Sequence, residues 1–91
     1  MKTRAHIFVS GHVQGVFFRY ETKRTAEKYG VTGWAKNLPD GRVECVFEGE
    51  KEDLERVIEF CKQGPPGAHV TDVAINWERW KDEFASFQIR Y

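Results

Sequence analysis

The sequence predicts an α+β sandwich: two helices packed on one face of a mainly antiparallel sheet, with a short extra C-terminal strand. Three observations predict it. Stretches of alternating apolar residues recur along the chain, two segments between them read as helices, and Gly or Pro marks the junctions. The resulting order is β-α-β-β-α-β plus one terminal strand. At 91 residues the chain fits one domain spanning 1–91, and its 41% apolar and 14% aromatic content supplies a real core and excludes disorder.

Ala5 to Ser10 alternates, with Ala5, Ile7 and Val9 on one face and His6, Phe8 and Ser10 on the other, which predicts a strand. Gly11 to Phe18 is a glycine-punctuated loop. Arg19 to Tyr29 reads as a helix with Thr22, Thr25, Ala26 and Tyr29 near one face, and Gly30 is placed to cap its C-terminus. Thr32 to Asn37 and Arg42 to Glu48 are two strands joined by Leu38-Pro39-Asp40-Gly41, a direct turn signal. Glu50 to Lys62 carries the strongest helical pattern. Leu54, Val57, Ile58 and Cys61 recur at i, i+3, i+4 and i+7, and Glu50, Glu52 and Asp53 suit the positive N-terminal end. Glu52 and Arg56 are spaced for an ion pair on its solvated face. Gln63-Gly64-Pro65-Pro66-Gly67 stops this helix. Val73, Ile75 and Trp77 alternate in a fourth strand, and Phe87, Ile89 and Tyr91 in a short last one. Trp34 is expected in the core, and Trp77, Trp80 and Phe84 are expected to pack on it or cover a terminal hairpin in preference to forming an exposed patch for a partner. As a unit this is the split βαβ, ferredoxin-like sandwich, a fold that hosts many unrelated functions.

Fourteen basic residues balance fourteen acidic ones, which argues against bulk attraction to nucleic acid or anionic membranes. The two cysteines, Cys45 and Cys61, form no metal-binding spacing and read as small buried groups. His6, His12 and His69 are scattered, without the local partners of a triad or metal site. The apolar run behind the basic N-terminus, Ile7-Phe8-Val9, is too short for a signal peptide or membrane span, so a cytoplasmic protein is expected.

The segment that could carry chemistry is Gly11-His12-Val13-Gln14-Gly15-Val16-Phe17-Phe18-Arg19. Its glycines allow a tight turn between strand and helix, aiming consecutive N–H groups into one concavity, an anion nest at a helix N-terminus. No Ser, Thr, Asp or Asn stands ready to cap those donors. Arg19 enters where a guanidinium could complete a phosphoryl pocket. On spacing alone the plainer reading is favoured, with the loop a βα connection, Arg19 a solvated helix residue and Asn37 a turn-initiating amide. The segment is neither a Walker A loop nor GxGxxG.

A second segment bears on that choice: Gly33-Trp34-Ala35-Lys36-Asn37, then Asp40-Gly41-Arg42-Val43-Glu44, one helix away from the first. Together the motifs read Gly-x-Val-Gln-Gly-Val-x-Phe-Arg, Gly-x-x-Gly-Trp-x-x-Asn and Asp-Gly-x-Val-Glu. This pattern resembles the acylphosphatase family over essentially the whole chain, the Gly64-Pro65-Pro66 tract included. The resemblance implies hydrolysis of acyl phosphates to carboxylate and orthophosphate. It assigns Arg19 to the substrate phosphate and the N–H groups of Gln14, Gly15, Val16, Phe17 and Phe18 to the same group, and it has Asn37 orient the attacking water. It implies no metal or cofactor, a small-molecule acyl phosphate as partner, and inorganic phosphate as product and inhibitor. His12 stands where members often have Arg, and Leu38 where some have Thr; neither is an assigned catalytic position.

Two other classes compete. A non-enzymatic anion-binding module could use the same cradle, but binding alone would not need Asn37. RNA recognition uses this fold too, yet Arg42 to Glu48 places acids where a stacking surface would be needed.

Overall fold

Alternation along the first strand sets the two faces of the molecule. In the computed structural model, which describes residues 1–91, β1 (Lys2–His12) turns Ala5, Ile7 and Val9 inward, all fully buried. The chain continues through α1 (Phe18–Lys28), β2 (Thr32–Asn37), β3 (Val43–Glu50), α2 (Lys51–Gln63), β4 (His69–Glu78) and β5 (Phe87–Arg90). The five strands form one sheet in the order β4-β1-β3-β2-β5. β1 and β2 both run antiparallel to β3, which lies between them, so α1 makes a split βαβ crossover. β4 pairs antiparallel with β1 on the other side. Both helices pack against the same inner face. α2 buries Leu54, Val57, Ile58 and Cys61, and α1 buries Phe18, Thr22 and Ala26. Sixteen buried apolar residues make one continuous core. No helix is long and apolar enough to cross a membrane.

β1 and β4 reach further than apolar alternation alone suggests, β1 by three residues at its start and two at its end, because backbone pairing continues where side chains no longer alternate. Four differences are more informative. β5 does not form a hairpin with β4. It crosses to the opposite edge and pairs parallel with β2, Trp34 opposite Gln88. Trp34 is not in the core: inward-facing Gly33 and Ala35 put it on the open face, beside His6 and under the Arg90 guanidinium at 4.8 Å. Trp77 and Trp80 are exposed, each beneath a lysine, Lys51 and Lys2. Arg56 pairs with Asp53 at 3.1 Å rather than with Glu52, since i,i+3 neighbours also share a helix face. Cys45 and Cys61 are free, buried thiols, and burial, reinforced by Cys61 alongside, pushes the Cys45 thiol well up.

One buried polar cluster holds the far end of the sheet. Arg4 on β1 donates to Glu48 of β3 at 3.3 Å, to Glu78 at 3.0 Å and to Glu83 at 2.6 Å. Glu48 also accepts the backbone N–H groups of Lys81, at 2.7 Å, and Glu83, at 2.9 Å. This ties down the connection that carries the chain from β4 to β5.

Candidate active site

The opposite end of β1 opens into the loop that the motif marks. A register shift between Ser10 and Gly11 brings the strand end close to β4. At Gly11, with φ of 119°, a Cβ would lie 2.1 Å from the His69 carbonyl oxygen, so no other residue fits. Beyond it, Gly15 (φ 76°) and Phe17 (φ 62°) both adopt left-handed backbone, two residues apart, and the chain turns straight into α1. Left-handed geometry is cheap for Gly15 and costs Phe17 on the order of 1–2 kcal/mol.

That turn leaves a run of donors. Glu21 N–H begins the helix ladder by donating to the Phe17 carbonyl at 3.0 Å, and none of the N–H groups from Gln14 to Tyr20 has a protein acceptor. No side chain caps α1. The first turn of a helix therefore presents unsatisfied N–H groups and the positive end of its dipole beside Gly15, an arrangement that favours an anion.

Arg19 projects from that turn. Its Nη1 donates to the Arg90 carbonyl at 3.0 Å, and its guanidinium stacks on the Tyr91 ring at 4.8 Å. Stacking occupies the face of the group and leaves its edges open. Of the five N–H donors of a guanidinium, one is engaged at Arg90, so the fork toward the cleft is available. Gly15, Phe17, Phe18, Arg19 and Asn37 line one cleft of about 270 Å³. Asn37 reaches it from the last position of β2.

Two of the expected residues, for which the N–H group is the part assigned to the phosphate, send their side chains elsewhere. The Val16 side chain packs partly buried against the core. The Gln14 side chain points away to the β2–β3 turn, where Nε2 donates to the Leu38 carbonyl at 2.7 Å and the Arg42 carbonyl at 2.9 Å. It therefore fastens the loop to the residue following Asn37. Three further residues belong to the cleft that the motifs did not mark: Tyr20, Ile89 and Tyr91. Tyr20 follows Arg19 directly and could have been found by adjacency. Ile89 and Tyr91 could not, because they arrive only through the parallel pairing of β5 with β2.

His6 acquires a partner that its local sequence does not show, Glu44 at 2.6 Å, on the open face of the sheet and outside this cleft. No group of three His, Cys, Asp or Glu side chains is arranged to hold a metal ion.

Comparison with known proteins identifies the family of the chain. The acylphosphatase family model matches residues 5–89. An acylphosphatase of Pelotomaculum thermopropionicum is 49% identical over 90 residues, covering 99% of this chain and 98% of that protein. The solved acylphosphatase of Bacillus subtilis superposes with a TM-score of 0.94 at 40% identity, over 100% of both chains. That of Coxiella burnetii gives 0.92 at 39% identity, over 98% of this chain and 93% of its own. Family model, relatives and solved structures agree over nearly the whole chain, and the chain belongs to the acylphosphatase family of enzymes.

Proposed function

We propose that the enzyme hydrolyses the carboxyl-phosphate anhydride of small acyl phosphates by clamping the phosphoryl group and aligning one water. The observation that carries this is the run of unaccepted N–H groups at the start of α1, sharing a cleft with Arg19 and Asn37. The N–H groups of Gln14, Gly15, Val16, Phe17 and Phe18 surround the phosphoryl oxygens, and Arg19 supplies a bidentate, permanently charged contact. Asn37 positions water in line with the bridging oxygen. Water oxygen bonds to phosphorus as the bridging P–O bond breaks. The electron pair leaves on the carboxylate, and the water proton passes to a phosphate oxygen or to solvent.

The residue types suit the demand. A carboxylate is a good leaving group, so little acid catalysis is required. In a loose phosphoryl transfer the charge spreads over the equatorial oxygens, where fixed donors act most strongly. An amide is a poor general base, which makes Asn37 a positioning group for water. The reaction so described uses no metal and no cofactor, and its product, orthophosphate, competes for the same cradle.

The test is hydrolysis of a simple aromatic acyl phosphate by purified protein, with and without a chelator. Turnover well above background and indifferent to chelator is expected. Phosphate binding without turnover would make the cradle an anion-binding module, and chelator-sensitive turnover would overturn the metal-free route.

A further inference from the structure

We propose that His12 and His69 together bind one divalent transition-metal ion, of the Cu2+, Ni2+ and Zn2+ class, outside the hydrolytic cleft. Neither residue lines that cleft, so the site stands or falls separately from the proposed reaction.

The two histidines lie far apart in sequence, and only the sheet brings them together. They are direct register partners, where the last residue of β1 meets the first of β4. Directly paired residues of neighbouring strands turn their side chains to the same face, with Cβ atoms about 5 Å apart. Both residues are exposed. Of the three histidines only His6 is engaged, 2.6 Å from Glu44 and 3.8 Å from Glu78. The His12 and His69 imidazoles have no side-chain partner to give up, and each can turn on its own χ angles.

The backbone under the pair is fixed on both sides. Gly11 comes so close to β4 that a Cβ there would lie 2.1 Å from the His69 carbonyl oxygen. Ala68 N–H donates to the carbonyl of buried Pro65 at 3.0 Å, closing a turn directly before His69. Imidazoles rooted on such a frame bind without the cost of ordering a loop. Side-chain rotation alone can bring one nitrogen from each to an ion at about 2.0–2.1 Å. No third His, Cys, Asp or Glu completes the set, so water fills the remaining positions. Two neutral nitrogen donors select borderline ions, among which Cu2+ binds most tightly. Ca2+ and Mg2+ require oxygen ligands, which this pair does not offer.

The test is titration calorimetry of the full chain with Cu2+ at about pH 7.5, in a buffer that does not bind metal. One ion per chain is expected. His12→Asn and His69→Asn should each weaken binding by more than about tenfold, the least that even an outer supporting partner is worth, because either change leaves a single imidazole. His6→Asn should leave the affinity unchanged. Pulsed EPR of the wild-type Cu2+ complex reads the ligands without any variant, and two imidazole nitrogens are expected. The ion should be released on acidification to about pH 5, where protons compete for the imidazoles. Two independent weakly bound ions, a wild-type spectrum with one imidazole, or an affinity lost only in His6→Asn would each overturn the site. Mg2+ binding as tightly as Cu2+ would overturn it as well.

Discussion

Arg19 meets the cleft with a planar charged fork, so two replacements separate charge from shape. Arg19→Lys keeps the charge and loses the bidentate edge; Arg19→Ala loses both. Both should abolish turnover and weaken competitive inhibition by inorganic phosphate in parallel. Phosphate inhibition surviving in Arg19→Ala would put the anion elsewhere. Asn37 should behave differently, because the proposed mechanism has it act on water and not on the phosphate. Asn37→Ala is expected to lower kcat by about 10²–10³ while the phosphate inhibition constant stays near wild type, the usual scale for loss of one aligned polar group. Asn37→Asp is nearly isosteric and could still accept from water, but it brings negative charge toward a phosphoryl dianion and removes the amide donor. We expect it to fail too, with circular dichroism confirming its fold. Wild-type turnover in either variant would remove Asn37 from the mechanism. Both residues were legible in the sequence only because the two motifs occur together. Alone, each has an ordinary structural use, Arg19 as a solvated helix residue and Asn37 as a turn amide.

At the scale of elements, the site is made where β1 hands the chain to α1 and where β2 ends. Gln14 joins the two through its bonds to the Leu38 and Arg42 carbonyls. Gln14→Glu keeps the size but turns the donor into an acceptor facing two carbonyls. It should lose about 1–2 kcal/mol of stability, read as a lower urea midpoint, and lower kcat by displacing Asn37. A stability loss with kcat intact would confine Gln14 to folding. Phe17 at the helix N-cap gives the opposite expectation. Phe17→Gly relieves left-handed strain and should raise stability by about 1 kcal/mol, a gain in melting temperature. A lower melting temperature would show that the Phe17 ring supports the fold. Helix and strand positions could be read from alternation and turn residues because those signals are local. Ladder partners could not. Nothing near Phe87 announces that β5 will cross the sheet to lie parallel to β2, and with it come Ile89, which lines the cleft, and Arg90 and Tyr91, which seat Arg19. Trp34 follows the same rule: its burial depends on which face of β2 turns inward, and inward Gly33 and Ala35 leave it the open face.

The whole molecule depends on how the chain gets from β4 at one edge to β5 at the other. The crossing passes the end of the sheet where Arg4 and Glu48 lie, and Glu48 holds it by accepting the N–H groups of Lys81 and Glu83. Past that point Gly33 N–H donates to the Ser86 carbonyl at 3.1 Å, and β5 begins. A buried ion pair is thus linked through β5 to the seat of Arg19 at the other end of the sheet. No local pattern reveals it, since its members lie far apart in sequence and become neighbours only on folding. Glu48 is 2% exposed. Burial by itself would push its carboxyl up, but the two backbone donors and Arg4 outweigh that and hold it below its ordinary value of 4.5. The folded state therefore binds fewer protons than the unfolded one in the window below about pH 4.5, and stability falls as pH drops through it. Above that window the contribution is complete. Glu48→Gln should cost about 3 kcal/mol at neutral pH, the lower end for breaking a buried pair, because Arg4 retains Glu78 and Glu83. It should also flatten the acid limb of stability against pH. Urea unfolding of both proteins at steps from about pH 3 to pH 7 measures both effects. Parallel acid limbs in the two proteins would mean that the charge on Glu48 does not hold the crossing. A steeper limb in wild type, with hydrogen exchange in Glu48→Gln faster at Lys81 and Glu83 than in the helices, would locate the loss at that end of the sheet.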